Sequence, residues 1–118
     1  MSESINNQEA IIEEVVSAIY HAYPNLLEKY GEAGVIRCKE DNQHHLDHLA
    51  TAYSLHDESV FLDYTNWLHE LLSARGMSAK HISFNFEQLQ QVLSQKQAPY
   101  TEFYLNCLSK AINQLTKK

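Results

Sequence analysis

Apolar residues recur at helical spacing along the whole chain. Ile11, Ile12, Val15, Val16, Ile19, Tyr20 and Tyr23 follow an i, i+4, i+8 stripe, while Glu9, Glu13, Glu14 and Ser17 fall mainly on the other side. This predicts an amphipathic helix. Asn6 or Asn7 can cap its start, and Pro24 closes it, because a residue before proline is pushed out of the α region. Asn25 to Tyr30 can make a short helical piece, and Gly31 and Gly34 mark a bend. A long helix is predicted from about Glu32 to Leu55, with Val35, Cys38, Asn42, His45, Leu46, Leu49, Ala52 and Tyr53 on its inner stripe. Polar Asn42 and His45 interrupt that stripe.

Asp57 then caps a helix carrying Val60, Phe61, Tyr64, Trp67, Leu68, Leu71 and Leu72, which ends at Arg75-Gly76 with glycine in the place of a left-handed cap. Ser78 opens a helix carrying Ile82, Phe86, Leu89, Val92 and Leu93. Pro99 begins the last, with Phe103, Tyr104, Cys107, Leu108, Ala111, Ile112 and Leu115 turned inward. No alternating strand pattern competes. The expectation is all-α: about five helices plus a short connecting helix, joined by short links that favour an antiparallel helical bundle. A globin-like arrangement, which also buries one stripe per helix, is the alternative.

Length and composition narrow the class. A chain of 118 residues is one domain's worth, so a single helical domain over 1–118 is expected. Three Gly and two Pro argue against a turn-rich β architecture. Nine basic against fifteen acidic residues give a net charge of −6, which disfavours nucleic acid and anionic membrane surfaces as partners. Basic residues gather only at Lys110, Lys117 and Lys118. The acidic N-terminus lacks the positive charge of a signal peptide, and no apolar run is long enough to span a bilayer. A cytoplasmic protein with Cys38 and Cys107 as free thiols is therefore expected.

Candidate chemistry centres on histidine. Asp41, His44, His45 and His48 stand at i, i+3, i+4 and i+7 of the long helix, spacings that share a face. His44 and His48 form a sound i, i+4 pair for a divalent ion, yet no His-Glu-x-x-His or Cys-x-x-Cys motif supplies further ligands. The plain reading is a solvated polar face, and no metal or cofactor is expected. Hemerythrin-like and ferritin-like diiron ligand sets are not matched either. His45 is different, because on the apolar stripe it must find a partner. Asp63 or Tyr64 on the next helix can supply one, either to fix helix register or to hold a histidine near its switching range. Trp67 next to Leu68, with Tyr64 three residues earlier, reads first as core packing and second as an aromatic platform for a ligand or partner. No nucleophile elbow, phosphate loop or cysteine–histidine set suggests an enzyme.

One stretch resembles a known family. Arg37-Cys38-Lys39-Glu40-Asp41, His45-Leu46 with Leu49, Phe61-Leu62-Asp63-Tyr64 with Trp67-Leu68, and Leu71-Leu72-Ser73-Ala74-Arg75-Gly76 are similar to the N-terminal helical region of bacterial cobalamin-binding-domain regulatory proteins, over roughly residues 23 to 90. In that family a helical module precedes a Rossmann-like domain that holds B12. The Asp-x-His-x-x-Gly motif that supplies the lower cobalt ligand has no counterpart in this sequence. The resemblance therefore implies a sensory or regulatory helical module without the cofactor, with Asp41, His45, Asp63, Tyr64, Trp67 and Arg75 as its matching positions.

Together these features lead to a non-enzymatic regulatory module, a homodimer or one bound to a partner protein or small ligand. Asp41, His45, Asp63, Tyr64, Trp67 and Arg75 are its candidate ligand-binding residues. The alternative is a metal- or small-cofactor-binding bundle using His44, His45 and His48.

Overall fold

The computed structural model describes the backbone of residues 2–116 and the side chains of residues 8–116. Over these residues the chain is all-α, with five helices and no strand. They are α1 (Ser2–Ala22), α2 (Asn25–Leu55), α3 (Ser59–Ala74), α4 (Ala79–Leu93) and α5 (Thr101–Thr116). Among the described residues no helix is long and apolar enough to cross a membrane. Helix α1 already runs from Ser2, so Asn6 and Asn7 lie within it instead of at its cap, and their side chains are outside the described residues.

The short piece after Pro24 and the long helix are one element, α2, broken at Gly31. Gly31 takes φ 66° and ψ −160°, a left-handed conformation that side chains resist. Gly34 matters for another reason: a Cβ there would stand 2.6 Å from the Cβ of Tyr30 and 3.4 Å from the Tyr20 hydroxyl. The bend predicted from the two glycines is thus a backbone break at the first and a close approach at the second.

The residues group into two compact units that divide after Asp47. In the first, α1 and the earlier part of α2 run antiparallel. Gln43 donates to the Gln8 side chain at 3.2 Å, and Lys39 meets Glu13 at 3.6 Å. Ile11, Ile12, Val15, Val16 and Ile19 are buried along α1, as their stripe requires.

The second unit holds the last turns of α2 with α3, α4 and α5. The N-cap of α3 is Glu58, one residue after the predicted Asp57, whose Oδ1 accepts from the backbone N–H of Ser59 at 3.0 Å and from the Ser59 hydroxyl at 2.7 Å. At the other end Gly76 has φ 85°, and the Met77 N–H donates to the Leu72 carbonyl at 2.9 Å, closing the helix in a Schellman manner. Ser78 is the N-cap of α4, and Pro99 lies in the turn that leads into α5.

Polar side chains set the direction of packing. Glu58 pairs with Lys110, while Gln114 donates to the Leu62 carbonyl at 3.2 Å and to Asn66 at 2.8 Å. Both contacts advance together along the chain, so α3 and α5 run in the same direction. Helix α4 returns between them in sequence, and its Gln90 donates to Ser109 of α5 at 2.8 Å. This unit is the antiparallel bundle that the short links predict. Phe61, Phe86, Leu89, Leu93 and Leu108 are fully buried in its core, and Tyr53 of α2 sets its ring edge-on to Tyr100, Phe103 and Tyr104.

Candidate functional site

The site forms where the last turns of α2 meet the outer side of α3. His48 lays its imidazole on the phenol ring of Tyr64, with centroids 3.8 Å apart and planes within 14°. Tyr64 is buried beneath it, held in turn against Phe61 at 5.6 Å between centroids. One turn on, Trp67 stands 6.0 Å from Tyr64, tilted by 32°. Together with Val60 and Asp63 these rings line an open groove of about 400 Å³.

Trp67 corrects the first expectation. It is 57% exposed, a large ring on the surface instead of in the core. The reason lies in the helix itself. Phe61, Thr65, Leu68 and Leu72 are the buried line of α3, and at about 100° per residue Trp67 sits roughly 120° away from it. Thr65 belongs to that line because its hydroxyl donates to the Phe61 carbonyl at 2.9 Å, which satisfies it in the interior. Counting Thr65 as polar misplaces the centre of the buried stripe and draws Trp67 inward.

Asp63 and Glu70 are exposed on the side of α3 that carries Trp67, roughly 40° and 60° around the helix from it. Helix α3 contains no lysine or arginine. The ion pairs of Lys39 with Glu13 and of Lys110 with Glu58 do not involve these two carboxylates. The groove therefore offers an exposed indole, one lining carboxylate and a second carboxylate on the same side of the helix.

Not all predicted site residues converge there. Asp63, Tyr64 and Trp67 do. Asp63 is exposed on α3. His45 is buried at 3% exposure, and every buried side-chain nitrogen and oxygen among the described residues has a hydrogen-bond partner, so its place on the apolar stripe leaves nothing unsatisfied. Asn42, also fully buried, donates to the Cys38 carbonyl at 3.0 Å. Asp41 is half-buried near Cys38 in the first unit. Arg75 is exposed at the C-cap of α3 and is not part of the groove lining.

His48 enters the site in an unforeseen role, as a stacking ring. The sequence signal for it was the helix-face spacing that also suggested metal, but its partner is an aromatic ring. His44 is exposed, and among the described residues no group of three or more His, Cys, Asp or Glu side chains stands together to hold a metal ion.

Both cysteines are free thiols. Burial pushes the Cys38 thiol up to about 11, helped by the charge of Asp41 and opposed by the Asn42 side chain. Cys107 is pushed up to about 11 as well, first by burial and then by Glu58. Such thiols are poor nucleophiles at neutral pH.

No family model, curated protein or solved structure matches the chain.

Proposed function

We propose that the chain is a non-enzymatic regulatory module that binds a partner protein through the groove of His48, Val60, Asp63, Tyr64 and Trp67. The observation that carries this is the exposure of Trp67 beside rings that are packed against one another. A surface tryptophan loses little freedom on binding and brings much apolar area, which is why such residues anchor interfaces. The rings continue inward from Trp67 to Tyr64, Phe61 and Phe86, so the exposed indole is backed by the core. The resemblance of residues 23 to 90 to the helical region of cobalamin-dependent regulators supports a regulatory role, with no B12 cofactor in this reading.

The test compares captured partners. The protein and its Trp67→Ala variant are immobilised, cross-linked to cell extract and washed under identical conditions. The reading expects a protein held by the first and lost by the second, while both retain the same helical content and unfolding midpoint. An identical set of captured proteins would remove Trp67, and with it the groove, from the function.

A further inference from the structure

We infer that the groove recognises an arginine side chain presented by the partner protein, an inference that rests on the proposed role of the groove in binding. Three features lead to it. Trp67 presents an exposed indole beside the buried Tyr64, and a ring face attracts a cation through its quadrupole. Asp63 lines the groove beside them, and Glu70 stands on the other side of Trp67 along α3, so a carboxylate lies one turn before and one turn after the exposed indole. No lysine or arginine of α3 neutralises that face, and the whole chain carries a net charge of −6. The local and global charge both favour a cation.

The shape selects among cations. A quaternary ammonium gains most when rings enclose and desolvate it, whereas this groove is open. A planar guanidinium stacks flat on one ring while its edge forks onto a carboxylate, and it is more weakly hydrated than a lysine ammonium. One indole face with a carboxylate a turn away on either side matches that geometry. Apolar Val60 at the groove wall suits the methylene stem of the same side chain.

The experiment titrates the full chain with a blocked glycine–alanine peptide bearing one central arginine, and with its twin bearing neutral citrulline. Two-dimensional NMR follows the Trp67 indole N–H and the ring signals of Tyr64 and His48. The arginine peptide is expected to move these signals saturably, and the citrulline peptide to leave them still. Asp63→Asn should weaken binding about fivefold and Glu70→Gln about twofold, as loss of an exposed charge-assisted contact predicts. Both substituted positions are exposed, so the fold persists and circular dichroism checks it.

Equal shifts with citrulline, no shift with arginine, or an unchanged affinity in Asp63→Asn would each overturn the inference. Tighter binding of tetramethylammonium would also do so, in favour of a quaternary ammonium ligand. If arginine binding fails while partner capture still depends on Trp67, the inference alone falls and the groove's role stands. If capture is indifferent to Trp67, the broader reading falls as well.

Discussion

The imidazole of His48 lies flat on the phenol of Tyr64, 3.8 Å between centroids, and so ties the last turns of α2 to α3 at the floor of the groove. Offset stacked rings contribute on the order of 1 kcal/mol beyond the area they bury. His48→Ala should therefore lower stability by about 1 kcal/mol, and His48→Phe should recover most of it. Urea unfolding of the three proteins measures this. A loss that phenylalanine does not repair would mean that the imidazole nitrogens, and not the ring face, carry the contact.

Gly34 sits in α2 one turn after Tyr30, and the two residues approach so closely that a Cβ on Gly34 would lie 2.6 Å from that of Tyr30. Helix propensity alone predicts that Gly34→Ala stabilises by about 1 kcal/mol. Overpacking opposes this, because the contact is with the stem of Tyr30 and not with a movable tip, at a cost of about 1–3 kcal/mol. The expected net result is a loss of stability, read from the thermal unfolding midpoint. A gain would show that α2 shifts freely around the Gly31 break.

These two contacts mark where the sequence could and could not be read. Helix spacing, Pro24, Asp57 and the glycine after Arg75 act locally, within a few residues, so five helices and most of their buried faces follow from the chain itself. Gly34 was legible as a bend but not as a close approach, since that depends on how Tyr30 and Tyr20 come round the break. At the site, Asp63, Tyr64 and Trp67 were legible because they share a helix. The stacking of His48 on Tyr64 joins two helices, and no pattern within either one encodes it. Helix spacing favours the core for Trp67 over a surface platform because the buried Thr65 disguises the true centre of the stripe.

The two thiols provide a prediction in pH. Burial holds the neutral form, so Cys38 and Cys107 ionise near pH 11 in the folded chain instead of near 9. At pH 8 the thiolate fraction is then roughly a hundredfold below that of an ordinary cysteine, and alkylation by iodoacetamide should be slower by about that factor than in the unfolded chain. The same shift bears on stability. Its contribution is fully present below about pH 9, where both states hold the proton. It is lost as pH rises through about 11, because the unfolded chain gives up its thiol protons first. Urea midpoints should fall across that interval, and should fall less in Cys38→Ala. Rapid alkylation of the native protein at pH 8 would contradict the suppressed ionisation of the two thiols.

Helix α3 displays its aromatic residues at graded depth: Phe61 is 0% exposed, Tyr64 is 6% and Trp67 is 57%. Removing a ring should cost stability in proportion to what surrounds it. Phe61 packs against Tyr64 and Phe86, so Phe61→Ala leaves a cavity and should cost about 3–5 kcal/mol. Trp67→Ala takes its ring mostly out of water and should change stability by no more than about 0.5 kcal/mol. Chemical unfolding of both variants measures the contrast. Its value is functional as well as structural. A tryptophan that the fold does not need can be removed without unfolding the chain, so any binding lost with it belongs to the groove. A cost for Trp67→Ala approaching that of Phe61→Ala would instead return the indole to the core and leave α3 without an exposed anchor.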